Sequence, residues 1–238
     1  VICPAVPTIT GISSAAPYYA GDIITITGTN LTGITYATIN DINATIGTVT
    51  ATTAQLTIPV TMADSVGVIQ VAFSSSCTFS NTFNFVFAGY ITKGAGLGNG
   101  TWGTASIWRN NALPVNNAPA IINSGDTVTL NVSADPIKFT ILSGAVFTQQ
   151  NNTVVFGNTF LNNTTVNGTL VTDNAGTPVL TVANRFISPK LMINNGGIFT
   201  NNSANATAVT IAQFYVYAGG RYNHNAVGSS ASGAVNDF

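Results

Sequence analysis

The sequence predicts an all-β protein in which a β-sandwich is followed by a β-solenoid, a β-helix-like segment. The composition supports this fold class, because glutamate is missing and Lys and Arg total only 6, which removes the best surface-helix formers. Thr, Val and Ile, which favour strands, are abundant instead. The first 90 residues alternate short apolar runs with turn residues, and the second half repeats a glycine-containing motif.

The N-terminal module, residues 1–90, has strand candidates about every ten residues, a spacing typical of a β-sandwich. The segment Ile-Thr-Ile-Thr at residues 24–27 places isoleucines on one strand face and threonines on the other. Turn residues Gly21 and Asp22 precede this segment, and Gly28 follows it. The strand candidates are residues 9–12, 23–28, 36–39, 44–49, 55–58, 66–72 and 83–87.

Several segments of this module follow the order of a known domain family. Residues 7–14 and 20–31 form the opening, which includes the run Thr-Ile-Thr-Gly-Thr-Asn, and residues 53–59 and 68–71 supply later strands. In these segments the chain resembles the IPT/TIG family of immunoglobulin-like domains over about residues 4–88. The resemblance implies an immunoglobulin-like β-sandwich that acts as a rigid spacer or binding module and has no shared catalytic residues.

Cys3 and Cys77 are the only cysteines, and they lie at the start and near the end of this module. A disulfide between them closes a loop of about 75 residues and contributes roughly 3–5 kcal/mol. It predicts an oxidising compartment, whereas two free buried thiols are the alternative. The spacing and the lack of a nearby histidine disfavour a zinc or thiol-catalysis site, and the common IPT/TIG pattern does not require this pair.

Residues 91–105 are predicted to form a glycine-rich linker and the cap of the solenoid, and residues 106–238 are predicted to form the solenoid repeats. The linker holds four glycines within residues 93–100, which favours a flexible connection.

The repeat consists of a glycine, any residue, two mostly apolar or β-branched residues, and then Thr or Asn. Its first glycines are 19, 24, 28 and 23 residues apart. A period in the twenties with one turn glycine fits β-solenoid rungs, because glycine readily adopts positive φ at a corner. A second, irregular β-sandwich with glycine turns is the alternative. The repeats start at Gly125, Gly144, Gly168, Gly196 and Gly219.

The second half also resembles surface proteins of Bacteroidetes-type bacteria. Residues 103–108, 113–114 and 120–130 are similar to the cap of such solenoids, and residues 220–225 are similar to one of their rungs. The resemblance implies a large secreted adhesin, as in gliding motility, with the type 9 secretion machinery as a partner. No signal peptide or C-terminal sorting domain is evident, so we expect a mature N-terminal piece of a longer protein.

No catalytic, cofactor-binding or metal site is predicted. Polysaccharide lyases and hydrolases with β-helices use clustered carboxylates, whereas Asp126, Asp135 and Asp173 are scattered. Asp126 and Asp135 lie in turn sequences, where aspartate usually bonds the local backbone. His224 has no second His, Cys or Glu nearby and is interpreted as structural.

Four other side chains are candidates for contact with a ligand. Arg185 and Lys190 suit a sugar or an anion, although isolated cations on strands are normally solvated. Trp102 and Trp108 suit stacking on a sugar, but capping the apolar end of the solenoid is the favoured interpretation. Thr-x-Thr pairs do not recur on every repeat, which disfavours an ice-binding face.

The bacterial resemblance further implies O-glycosylation at Asp-Ser/Thr-apolar triplets. Ser65 and Thr127 occupy such triplets and are the candidate O-glycosylation sites. Asn-x-Ser/Thr sequons are also numerous and predict glycan if the source is a secreted eukaryotic protein.

Charge and hydropathy exclude several classes of partner. A net charge of −1 provides no basic surface for nucleic acid or an anionic membrane, and no apolar run reaches the roughly 18 residues of a membrane span. The predicted function is a non-enzymatic, extracellular cell-surface adhesin segment, with neutral polysaccharide or cell-surface components as partners. The alternatives are a carbohydrate-active β-helix enzyme and a self-assembling fibre or surface-layer subunit, which would self-associate through open sheet edges.

Overall fold

The computed structural model divides the chain into two compact units, the N-terminal unit Val1–Gly89 and the C-terminal unit Tyr90–Phe238. Strands dominate both units, and the helical segments among the described residues are two 3-10 turns, Ala105–Ile107 and Arg109–Asn111. The described residues are 3–63, 65–132, 134, 136–149, 154–155, 163–166, 169–172, 186–194, 196–201, 209–224 and 235–237.

The N-terminal unit consists of antiparallel sheets. Its strands are β1 (Thr8–Ile12), β2 (Tyr18–Tyr19), β3 (Ile23–Thr29), β4 (Tyr36–Ile39), β5 (Ile42–Asn43), β6 (Thr45–Val49), β7 (Thr53–Thr57), β8 (Val66–Ala72) and β9 (Phe83–Ile91). Strands β1, β3, β7 and β6 form one sheet in that order, and β5, β4, β8 and β9 form the other. Strand β2 adds to β9 in parallel. The last two residues of β9 belong to the C-terminal unit.

Alternation along β3 produces the buried face that the sequence predicted. Ile24 and Ile26 are fully buried, whereas Thr25 and Thr27 are half-buried on the opposite face. Burying each isoleucine stabilises the fold by about 1.5–3 kcal/mol relative to an exposed side chain. The same interior contains Leu31, Ile39, Leu56, Ile58, Ile69, Val71 and Phe87.

A disulfide joins Cys3 to Cys77 in this unit. Their Cα atoms are 5.7 Å apart, and the two residues are separated by 74 positions in the sequence. The bridge ties the segment before β1 to the turn between β8 and β9. That turn is closed by the Cys77 N–H, which donates to the Ser74 carbonyl at 3.1 Å.

The C-terminal unit is built from parallel strands. They are β10 (Gly100–Thr101), β11 (Pro119–Ile122), β12 (Thr127–Leu130), β13 (Lys138–Ile141), β14 (Val146–Gln149), β15 (Val154–Val155), β16 (Asn163–Val166), β17 (Thr169–Thr172), β18 (Phe186–Ile193), β19 (Ile198–Asn201), β20 (Val209–Val216), β21 (Arg221–His224) and β22 (Val235–Asp237). Sheet I contains β10, β12, β14, β17, β19 and β21 in that order. Sheet II contains β11, β13, β16, β18, β20 and β22 in that order, with β15 paired to β18. Apart from β15, successive strands along the chain therefore alternate between the two sheets.

The described turn glycines of the repeat lie two residues before strands of sheet I. Gly125, Gly144, Gly196 and Gly219 have φ values of 80°, 75°, 77° and 81°. Glycine populates this left-handed region without the penalty that a Cβ brings, so each glycine allows the chain to turn into the next strand. Gly168, the remaining repeat glycine, lies outside the described residues.

Each sheet of this unit stacks apolar side chains in register. In sheet I, Val128 pairs with Phe147, and Phe199 occupies the same position further along; all three are fully buried. In sheet II, Phe139 and Leu191 are fully buried and share one register position, with Thr164 on the strand between them. Buried apolar side chains therefore recur at one register position of each sheet in the part of this unit whose side chains are described.

Tyr90, at the start of the C-terminal unit, is expected to make the unit sensitive to alkali. Its side chain is 1% exposed, and burial raises its pKa from 10.0 to about 12. The unfolded chain therefore loses this proton first, so the free energy of unfolding falls as the pH rises from about 10 to about 12. A shift of this size corresponds to roughly 2–3 kcal/mol, and Tyr90→Phe should remove that part of the loss.

Denaturant unfolding followed by tryptophan fluorescence measures this effect, since both tryptophans lie in the C-terminal unit. The comparison is between the wild type and Tyr90→Phe at about pH 9 and about pH 12. Equal losses of stability in the two proteins would show that Tyr90 does not contribute to the alkaline sensitivity.

Candidate functional site

Asp126 holds the glycine-rich segment that precedes sheet I. Its carboxylate is fully buried. Oδ2 accepts the Gly94 N–H at 2.7 Å, and Oδ1 accepts the N–H groups of Gly96 and Gly98 at 3.0 Å each. Backbone N–H groups that converge in this way form an anion nest, which the protein here fills with its own side chain.

This contact gives the glycines a role different from the flexible connection expected within residues 91–105. Gly94 and Gly96 have positive φ values of 84° and 81°, and a Cβ at Gly98 would collide with the Asp126 carboxylate. The glycines therefore let the backbone wrap closely around the carboxylate. The Asp126 side chain bonds to residues about 30 positions away, whereas its backbone N–H bonds the Asn123 carbonyl of its own turn. The buried carboxylate is inaccessible to a substrate.

Trp102 and Trp108 form a buried aromatic cluster next to this segment. Trp108 is fully buried, and its Nε1–H donates to the Trp102 carbonyl at 2.9 Å. The two indoles are edge-on with centroids 5.0 Å apart, and Trp102 also contacts Phe139 and Phe147 at 5.8 and 5.9 Å. These contacts support the apolar packing role and leave Trp108 no surface for a sugar.

A pocket of about 110 Å³ lies beside Trp102. Its lining is mostly apolar and includes Leu113, Val132 and Pro136, together with Asn116. Small-molecule pockets commonly occupy roughly 300–1,000 Å³, so this space suits a small uncharged group rather than a polysaccharide segment.

A column of threonines crosses sheet I on the face opposite its buried side chains. Thr101, Thr129, Thr148 and Thr200, called the threonine column below, are all half-buried. The side chains that precede three of them, Val128, Phe147 and Phe199, are apolar and fully buried on the other face. Thr101, Thr129 and Thr148 lie on adjacent strands, which are about 4.8 Å apart, and the next threonine, Thr200, lies two strands beyond Thr148. The complete register is Thr101, Thr129, Thr148, Val171, Thr200 and Asn223.

The ends of the threonine column are held by hydrogen bonds. The Asn223 Nδ2 group donates to the Thr200 hydroxyl at 3.3 Å, and the Thr101 hydroxyl bonds that of Thr104 at 2.8 Å. Val171 and Asn223 interrupt the threonines in register, in agreement with the expectation that Thr does not recur on every repeat.

Sheet II carries a pair of tyrosines that the sequence analysis missed. Alternate positions on and just after β20 are occupied by Gln213, Tyr215 and Tyr217. Gln213 and Tyr217 are exposed, and Tyr215 is half-buried. The Tyr215 and Tyr217 rings are nearly parallel, with an interplanar angle of 16° and centroids 6.5 Å apart. The alternation with Phe214 and Val216 was the available signal, because strand side chains at every second position share a face.

The two sheets of the N-terminal unit lie within a single family match. Residues 7–87 match the IPT/TIG domain family. The IPT/TIG domain thus spans nearly all of the N-terminal unit and confirms the resemblance found over residues 4–88. It also confirms an immunoglobulin-like fold for this part of an all-β chain.

Comparison with solved structures gives a limited likeness. SGBP-B of the Bacteroides ovatus mixed-linkage glucan utilization locus, in complex with a mixed-linkage heptasaccharide, is 20% identical with a TM-score of 0.25. The match covers 31% of this chain and 22% of SGBP-B, so the chain spans less than a quarter of that protein. None of the curated proteins compared with the chain matches it.

The two candidate O-glycosylation residues differ in their surroundings. Ser65, in the IPT/TIG domain, is exposed, and its carbonyl accepts the Phe87 N–H at 3.0 Å. Thr127 is exposed as well, but the adjacent Asp126 side chain is buried beneath the glycine segment. An enzyme that reads the aspartate of the triplet would therefore not reach Asp126 in the folded protein.

The remaining sequence candidates do not join these sites. Asp135, Asp173 and Arg185 lie outside the described residues, and only the backbone is described for Lys190 and His224. Within the described part of the chain, no group of three or more His, Cys, Asp or Glu side chains is arranged to hold a metal ion. No helix in that part is long and apolar enough to cross a membrane.

Proposed function

We propose that the chain is a segment of a non-enzymatic, extracellular cell-surface protein that binds neutral polysaccharide. In this proposal the IPT/TIG domain is a rigid module, and the C-terminal unit is a β-solenoid stalk. The threonine column is the observation that carries the binding function, because three of its four threonines present hydroxyl groups on adjacent strands of one sheet.

The alternation of strands between sheets I and II supports the solenoid. Apart from the extra strand β15, each repeat contributes one strand to each sheet, and turn glycines such as Gly125 and Gly144 adopt positive φ between them. Stacked repeats of this kind bury a continuous apolar interior and present regular outer faces. Such a segment is stiff along its length, which suits a stalk.

The chemistry of the outer face supports a neutral ligand. Charged residues make up 5% of the chain, and the threonine column offers hydroxyl groups that both donate and accept hydrogen bonds. Sugar hydroxyls need such partners, whereas an anionic ligand would require clustered cations. The Cys3–Cys77 bridge favours an oxidising, extracellular location. Export as an adhesin by type 9 secretion belongs to the same proposal.

Affinity electrophoresis tests the binding function. We expect gels that contain a neutral glucan or mannan to retard the wild-type protein, and gels that contain alginate to leave it unaffected. The triple variant Thr129→Ala/Thr148→Ala/Thr200→Ala should bind at least roughly tenfold more weakly, because each hydrogen bond contributes about 1 kcal/mol. Thr140→Ala, on sheet II, is the matched control and should bind as the wild type does.

Two results would contradict this proposal. Equal binding by the triple variant and the wild type would show that the threonine column does not bind the polysaccharide. Release of new reducing ends from any bound polysaccharide would show that the protein cleaves the polysaccharide and is an enzyme.

A further inference from the structure

The outer face of β20 carries a second set of groups suited to a sugar. Gln213, Tyr215 and Tyr217 project from the same side of the strand, while Phe214 between them is 8% exposed and faces the interior. Phe214 packs edge-on against Tyr222, with ring centroids 5.0 Å apart. The inward side chains therefore hold the strand in an orientation that keeps the two tyrosines outward.

The backbone on both sides of the tyrosine pair is fixed. Strand β20 pairs in register with β18, where Tyr215 lies opposite Met192. The Tyr217 N–H donates to the Ile193 carbonyl at 2.9 Å, and the Tyr217 carbonyl accepts the Gly220 N–H at 2.8 Å. Little further ordering is needed for a ligand to use this face, and preorganisation of this kind favours affinity.

We propose that Gln213, Tyr215 and Tyr217 form a stacking site for the pyranose rings of a neutral polysaccharide. The two rings differ by 16° in orientation, so a sugar that lies parallel to one also lies parallel to the other. Pyranose C–H groups pack against the negative face of an aromatic ring. The Gln213 amide supplies a donor and an acceptor for sugar hydroxyls.

The absence of charge on the three side chains of this site favours a neutral sugar as the ligand. Gln213, Tyr215 and Tyr217 carry no charge, and their amide and hydroxyl groups match the donors and acceptors of a hexose. Lys190 lies opposite Gln213 in the register, so a salt-sensitive interaction would reveal an anionic ligand instead. This inference rests on the proposed polysaccharide function, but it places a site on sheet II, separate from the threonine column.

The test uses the full chain and the neutral polysaccharide that retards the wild type most strongly. Tyr215→Ala/Tyr217→Ala should bind at least roughly tenfold more weakly, because two aromatic contacts are lost. Tyr215→Phe/Tyr217→Phe keeps both rings and should bind within about threefold of the wild type. Thermal unfolding followed by tryptophan fluorescence should be unchanged in both variants, which separates lost stacking from lost folding.

The other outcomes distinguish failure of the tyrosine site from failure of the proposed function. If the threonine triple variant loses binding while both tyrosine variants bind normally, the tyrosine site is wrong and the proposed function stands. If no neutral polysaccharide retards the wild type, the proposed function fails first. Loss of binding at high salt would show that the ligand is anionic and not a neutral sugar. A wild-type dimer that dissociates only in Tyr215→Ala/Tyr217→Ala would show that a second copy of the chain occupies this face.

Discussion

Asp126→Asn is expected to lower the free energy of unfolding of the C-terminal unit by about 2–4 kcal/mol. The carboxylate accepts three backbone N–H groups in a fully buried position. An asparagine amide of the same shape has only one acceptor oxygen, and its NH₂ group would face an N–H donor. Asp126→Ala should have a larger effect, because it leaves all three N–H groups without their acceptor.

Denaturant titration followed by tryptophan fluorescence measures this loss, since Trp102 and Trp108 report on the same unit. Asp41→Asn is the matched control, because it removes the same charge from an exposed residue of the N-terminal unit. Its φ of 61° is one that asparagine tolerates well. If Asp126→Asn unfolds at the same denaturant concentration as this control, the carboxylate does not hold the glycine segment.

Removal of the disulfide is expected to destabilise the IPT/TIG domain by about 4 kcal/mol. The bridge spans 74 positions of the sequence, and opening so long a loop restores much conformational freedom to the unfolded chain. In Cys3→Ala/Cys77→Ala, the most protected amides of β3 and β8 should exchange about a thousandfold faster. Hydrogen-exchange mass spectrometry measures this change peptide by peptide.

Reduction of the protein provides the matched control. A reductant should accelerate exchange in the wild type and leave the alanine variant unchanged. The bond itself is tested by mass mapping without reduction. Cleavage before aspartate is required, because the first tryptic site is Lys93 and trypsin leaves both cysteines in one peptide. Free thiols in protein purified without reductant would contradict the bridge and weaken the proposed extracellular location.

Most strands of the IPT/TIG domain could be predicted because their signals are local. The predicted segments 36–39 and 66–72 agree with β4 and β8, since alternating apolar residues and flanking turns define both. Strands β2 and β5 were missed, because two residues are too short to show alternation. Strand β2 exists through its pairing with β9, a contact between residues about 70 positions apart.

The repeat glycines could be predicted for the same reason. Each of the five repeat motifs contains a strand of sheet I, and the described repeat glycines have the positive φ that a turn requires. The tyrosine pair was missed because neither residue has an unusual neighbour in the sequence. Alternation with Phe214 and Val216 places both tyrosines on one face, but the parallel orientation of their rings is set only in the folded chain.

The sequence by itself determined the all-β class and the positions of the repeated turns, and its resemblance to the IPT/TIG family identified the N-terminal domain. The fold class and the turns depend on side-chain alternation and on glycine, which act over a few residues. The tertiary structure alone decided which groups meet across the sheets. Asp126 looked like an ordinary turn residue, yet its carboxylate binds glycines about 30 positions earlier. That pairing arises because a buried carboxylate must be satisfied by donors, and only the folded chain brings those N–H groups to it.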